Sequence, residues 1–286
     1  MDVTLLLNTI RNLVDNETQV RLSPIQKGNV TFTGISIGKG NVVPVVYVER
    51  YESMFDNNYE AVARKIIEDI SEAKLDFNFD ASSFIWDNIK DKLILCIAPS
   101  GTNEGYVTYP YLDMELYVRV RVFDGGTFKV SKQMLDTWDG ITKEMLLHAA
   151  LDCSKPNYII TPMRDIMIEL LTEQGIPKEL VESIINEQSK EPTEQIVITN
   201  KEKVHGASAI YCKDILKSLA DKHESDLRII PSSIHEVIVV PMKNGVIFED
   251  VTKMVQDVNS GGDVAPEDIL ENHAYIFHRD TTEITW

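Results

Sequence analysis

The sequence predicts an α+β fold of mixed or largely antiparallel sheets packed with helices, in two loosely similar halves. Three observations carry this. Apolar residues recur at helical spacing in some windows and at strand spacing in others, without a steady βαβ rhythm. Hydrophobic residues make up 43% and charged residues 26% of 286, enough for one large domain or two modest ones and unlike collagen-like, mucin-like or disordered chains. The order of a hairpin then helices after residue 112 is loosely echoed by strands then a helix after residue 196.

Along the chain, Val3, Leu6, Leu7, Ile10 and Val14 mark a first helix. Val30–Ile37 and Val42–Val48 read as strands, with Gly38, Gly40 and Asn41 as a hairpin turn between them. Tyr59, Val62, Ala63, Ile66, Ile67, Ile70 and Ala73 give a second helix, and the all-apolar run Leu93–Ala98 reads as a buried strand. Residues 99–110, with Gly101, Thr102, Asn103, Gly105 and Pro110, form a connecting loop or a lid. In the alternation that follows, Leu112, Met114, Leu116, Val118, Val120 and Val122 share one face, and Asp113, Glu115, Tyr117, Arg119 and Arg121 the other. That polar face is solvated, or it forms an interaction face for a substrate or partner.

Gly125-Gly126 turns the chain back into a strand at Thr127–Val130. Ser131 caps a short helix ending near Trp138, a core candidate, and Thr142 caps the next, with Met145, Leu146 and Ala149 inward. Pro177 starts a helix with a stripe of Leu180, Val181, Ile184 and Ile185. Residues 188–195 are the most linker-like segment. Beyond it Ile196–Thr199, Gly206–Tyr211, Leu227–Ile230, Val237–Val240 and Tyr275–Phe277 read as strands. Helices are marked by Ile215, Leu216 and Leu219, and by Val251, Met254, Val255 and Val258. The regions are drawn as 1–110, 111–190 and 191–286.

Twenty-eight basic against 45 acidic residues leave a net charge of −17, which opposes nucleic-acid and anionic-membrane binding. Cys96, Cys153 and Cys212 are an odd, scattered set without metal or disulfide spacing. The N-terminus lacks a basic leader, and no apolar run approaches about eighteen residues, so a cytoplasmic address is expected.

No complete cofactor or metal motif is present. Gly34 to Gly40 lacks the order of a phosphate loop, because Gly40 stands where Ser or Thr must follow Lys39. Gly206-Ala207-Ser208-Ala209-Ile210 ends on isoleucine where a nucleophile elbow needs glycine. His235-Glu236 is followed by Val239 where a zincin has its second histidine, and His273 and His278 are five apart. Asp113 and Glu115 are a carboxylate pair on one expected strand face. Ser232, Ser233, His235 and Glu236 carry the residue types of a nucleophile, base and acid at a strand–turn–strand junction. In an extended strand, however, His235 and Glu236 point oppositely.

Two long stretches carry a family resemblance: residues 111–120 followed by 130–142, and residues 198–208 followed by 227–237. With 264–270, they resemble a family of uncharacterised bacterial proteins, DUF5688, over nearly the whole chain. Leu135-x-x-Trp138-x-x-Ile141 is more faintly similar to DUF1444. The resemblance implies a soluble bacterial protein, found in Firmicutes and tied to mobile or phage-related DNA, and it transfers no catalytic mechanism. The expected function is therefore a non-enzymatic interaction or regulatory factor with an unidentified protein partner. The alternatives are a hydrolase using Ser232 or Ser233 with His235 and an acid, and a structural or assembly component.

Overall fold

The structure, a computed structural model, describes residues 1–39, 43–72, 84–122, 126–188, 194–242 and 248–286, without the side chains of 184, 186–188 and 248–250. Gly40, Asn41, Val42, Ala73, Gly125 and linker residues 189–193, all used in the sequence reading, lie outside these, as does the side chain of Ile184. The chain divides into two units, Met1–Phe84 and Ile85–Trp286.

In the first unit, α1 (Val3–Leu13) starts at Asp2, whose carboxylate accepts the N–H groups of Thr4 and Leu5 at 2.8 and 3.2 Å. This satisfies donors that a helix start leaves open. β1 (Gln19–Lys27) and β2 (Val30–Gly38) pair antiparallel, from Lys27 opposite Val30 to Gln19 opposite Gly38. β3 (Val45–Tyr47) lies on the other side of β2, and the strand expected to reach Val48 gives way there to a 3-10 helix, Val48–Met54. α2 (Tyr59–Glu72) shares a core with α1 and β2, built from Leu6, Ile10, Ile35, Ile37, Val62 and Ile66 among others. β1 was not expected, since Pro24 interrupts its pattern. It is an edge strand, and there a proline without an N–H is tolerated.

The second unit opens with the short α3 (Trp86–Ile89), then β4 (Leu93–Pro99), β5 (Thr108–Tyr111), β6 (Met114–Arg121) and β7 (Thr127–Lys129). β6 pairs antiparallel with the other three. α4 (Lys132–Asp136) and α5 (Lys143–Ser154) start on the expected caps, Ser131 and Thr142, which accept the N–H groups of Met134 and Met145. α5 buries Leu146, Ala150 and Ser154, so Met145, expected inward, is exposed. Trp138 is core, as expected, beside Trp86.

A six-stranded antiparallel sheet follows, built from β8 (Tyr158–Pro162), β9 (Ile196–Asn200), β10 (Leu227–Ile230), β11 (Val237–Pro241), β12 (Tyr275–Phe277) and β13 (Ile284–Thr285). Its order is β13-β12-β10-β11-β9-β8. Between strands run α6 (Met163–Glu173), α7 (Lys178–Gln188), α8 (Lys213–His223) and α9 (Phe248–Gly261). Among the described residues no helix is long and apolar enough to cross a membrane.

Gly206–Tyr211, expected as a strand, is a 3-10 helix. Its small residues carry no alternation to hold a pleat, and five of the six are buried. This turn covers β4, a buried edge strand whose outward backbone groups need partners. At Leu95 the carbonyl accepts the Ser208 hydroxyl at 2.6 Å, and the N–H donates to Ser154 Oγ at 2.8 Å. Ser208 is also 2.9 Å from Tyr158 Oη. The cysteines remain apart as free thiols. Burial pushes those of Cys96 and Cys212 up to about 12.

Candidate functional site

The polar face expected along residues 113–121 is not a solvated one. Glu115 and Tyr117 are 7% and 4% exposed, because loop 99–107 folds over one and Lys129 lies over the ring of the other. The Glu115 carboxylate accepts the Gly101 N–H at 3.1 Å, the Asn103 N–H at 2.8 Å and Asn103 Nδ2 at 2.8 Å. Lys129 Nζ donates to Asn103 Oδ1 at 2.6 Å, fixing the amide from its other side. The loop read as a possible lid is thus tied down at residues 101 and 103. Arg119 donates to Thr127, and Arg121 pairs with Glu202 at the surface.

Asp113 leaves this face altogether. Leu112 has φ of +56°, so the strand begins only at Met114 and the preceding turn aims Asp113 away from Glu115. The expected carboxylate pair is not formed; each acid serves different partners. Asp113 instead joins residues that precede and enter β12. Its Oδ1 accepts the Tyr275 hydroxyl at 2.6 Å, and its Oδ2 is 2.6 Å from His273 Nε2. Glu271 Oε2 is 4.0 Å from the same nitrogen. All three side chains are half-buried, and the Trp286 ring lies over His273. Burial raises the Asp113 carboxyl, but the hydrogen bonds from Tyr275 and His273 outweigh it and hold the group below its ordinary value. Burial, and then the nearby Asp113 charge, raise Glu271.

The segment Ser232–Glu236 is irregular backbone between β10 and β11. Ser232 Oγ donates to Glu236 Oε1 at 3.4 Å, and Ser233 Oγ accepts the His235 N–H at 3.0 Å. The His235 ring turns elsewhere: Nδ1 accepts the His205 N–H at 3.2 Å, and Nε2 faces Asp268 Oδ1 at 3.4 Å. These partners place the ring hydrogen on Nε2. Among the described residues no hydrogen bond joins that ring to either serine, so the hydroxyls serve the turn. His278, the remaining histidine near the end, is held by Asp226 and Thr285.

His205 lies under this turn in left-handed backbone, φ +58°, and its Nδ1 has no partner among the described residues. Burial, then the neighbouring Arg119, His235 and Lys129, pull its imidazole down to about 3. The unfolded chain takes up this proton near 6.5 and the folded chain only near 3. The unfolded state therefore binds more protons between those values, and stability is complete above pH 6.5 and lost as pH falls toward 3. His205→Asn keeps a residue that accepts left-handed backbone and removes the titration. Urea unfolding at about pH 7 and about pH 4.5 is expected to differ by about 2 kcal/mol less in the variant than in the parent. Equal acid losses would contradict this.

At the open edge of the six-stranded sheet, α6 follows β8 directly. It carries Met163, Ile166, Met167, Ile168, Leu170 and Leu171, yet buries no residue; Met167 and Leu170 are 40% and 52% exposed. α7 does bury Val181 and Ile185. A groove lined by Asp165, Ile168, Glu169 and Glu173 of α6 and by Lys178 and Glu182 of α7 runs along the pair. At 100° per residue, Glu173 and Glu169 lie about 60° and 100° round the helix from Leu170, both on the side away from Met167.

Sequence reasoning missed Glu271 and Tyr275 and weighed His273 only against His278. The legible signal was Glu271-x-His273-x-Tyr275, whose period of two puts acid, imidazole and phenol on one side of an extended segment. Asp113, 160 residues from His273, gives no local sign of joining them.

Neither a curated protein nor a solved structure matches the chain. A family profile does, over residues 3–279, and it is described as a family of unknown function. With nearly the whole chain inside the match, this protein belongs to that family, DUF5688.

Proposed function

We propose that the chain is a non-enzymatic protein-binding factor and that α6 and α7 receive a basic, amphipathic segment of a partner. The observation that carries this is α6 itself: six large apolar side chains in eleven residues, none of them buried. Met167 and Leu170 stand exposed while the other four are only partly covered, so the helix gains from a partner that covers them, by about 25 cal/mol per Å² covered. Charge selects the partner. Residues 163–188 hold six acids, Asp165, Glu169, Glu173, Glu179, Glu182 and Glu187, against Arg164 and Lys178. A second copy would bring the same acids face to face, whereas a lysine-rich helix would pair with them.

The test is fluorescence anisotropy with a labelled Lys/Leu amphipathic peptide and a Glu/Leu peptide as control. The basic peptide is expected to bind, more weakly as salt rises. Met167→Lys with Leu170→Lys, and separately Glu169→Lys with Glu173→Lys, should each weaken binding by ~tenfold or more. Equal binding of both peptides, or no binding, overturns the proposal. So does a dimer in sedimentation that the Met167→Lys, Leu170→Lys variant dissolves, since the stripe would then be covered by a second copy.

A further inference from the structure

We infer that Asp113, Glu271 and His273 form a binding site for one divalent transition-metal ion of the zinc or manganese class. The three ligand atoms, one imidazole nitrogen and two carboxylate oxygens, lie within 4.8 Å of one another. A tetrahedral ion with bonds of about 2.1 Å holds its ligands roughly 3.4 Å apart. The 2.6 Å between His273 and Asp113 and the 4.0 Å between His273 and Glu271 fall on either side of that spacing. The third pair, Asp113 and Glu271, lies within 4.8 Å, so bringing all three to that spacing takes side-chain shifts of up to about 1.4 Å. An imidazole beside carboxylates suits zinc or manganese better than calcium or magnesium, which favour oxygen alone.

A second, independent observation is how the ligands are held from behind. Asp113 Oδ1 takes the Tyr275 hydroxyl, which leaves Oδ2 as the oxygen presented. His273 Nδ1 faces the Ala274 carbonyl at 3.3 Å, and a carbonyl only accepts. The Ala274 carbonyl on one side and the Asp113 carboxylate on the other fix the ring, with Nε2 aimed at Asp113 Oδ2. Such outer partners orient the ligands of metal sites. Nε2 and Oδ2 hydrogen-bond to each other at 2.6 Å, which already brings two of the three ligand atoms together.

The test adds cobalt(II) chloride to the full chain, following visible absorption, and competes the ion with zinc(II). One ion per chain is expected. Glu271→Gln removes one ligand charge at a position whose carboxylate, among the described residues, accepts the Asn272 N–H at 3.4 Å and lies 4.0 Å from His273 Nε2, so the fold is expected to be retained, and far-ultraviolet dichroism checks it. Affinity should fall at least ~tenfold in Glu271→Gln and further in His273→Gln, and zinc should raise the melting temperature of the parent but of neither variant. No cobalt band in the parent at millimolar metal, or unchanged affinity in either variant, overturns the assignment.

Discussion

Gly206→Ala is expected to cost about 3 kcal/mol or more, a large share of the roughly 5–15 kcal/mol that holds an ordinary domain folded. An added Cβ would stand 2.5 Å from the Asn200 nitrogen, 2.6 Å from Thr199 Oγ1 and 2.8 Å from the His235 carbonyl oxygen. Two of these are backbone and cannot swing aside. The third is committed, because Thr199 Oγ1 donates to the same His235 carbonyl at 2.8 Å, as Gly206 N does at 2.9 Å. Displacing this knot would also move Ser208 off the Leu95 carbonyl, leaving a buried strand edge unsatisfied. Gly101→Ala is the control: its φ is +80° but nothing lies within 4 Å of the added methyl, so it carries only backbone strain, about 1 kcal/mol. Urea unfolding of both variants checks the expectation, and equal costs would sink the packing argument.

Glu115→Ala is expected to lower stability by about 3 to 5 kcal/mol. The substitution strands three donors, the N–H groups of Gly101 and Asn103 and the Asn103 amide, in a place where water does not readily replace the carboxylate. Each buried unmet donor costs about 1–3 kcal/mol, and the three share one acceptor, so the sum is less than additive. Glu115→Gln should fall between, since one oxygen still accepts while the new amide meets donors head-on. Unfolding in urea gives the energies. Limited proteolysis within residues 101–107 should be faster in the alanine variant than in the parent. A stable, protease-resistant Glu115→Ala protein would show that the loop is held by something other than this acid.

Much of the architecture was legible because it rests on local rules. The run Leu93–Ala98 read as a fully buried strand, and β4 is buried along all seven residues. The stripes of α1 and α2 and the caps Ser131 and Thr142 are equally local signals. Three failures share a different cause. β1 was hidden by Pro24, whose tolerance depends on an edge position that only the sheet order reveals. The 3-10 turn at 206–211 looks like a strand in isolation and is set by backbone packing around Gly206. Glu115 and Asp113 have the alternation of a half-exposed strand, but a left-handed residue at Leu112 and a loop folded over Glu115 send one across to β12 and bury the other. The candidate site was legible only in halves, as Asp113 on one side and Glu271-x-His273-x-Tyr275 on the other, since no pattern along a chain marks partners so far apart.

The clamps that join the strands of the second unit set an order for its assembly on the ribosome. Leu95 waits for Ser208, 113 residues later; Tyr111 waits for Ile210, 99 later; Asp113 waits for Tyr275, 162 later. A nascent chain therefore carries β4 to β6 for most of its synthesis with an apolar edge bare and its hairpin tip untethered. The first unit draws its core from residues 6–70 and closes long before. Non-local pairing of this kind is slow and leaves sticky surface in the open, so the second unit stays exposed for longer during synthesis than the first.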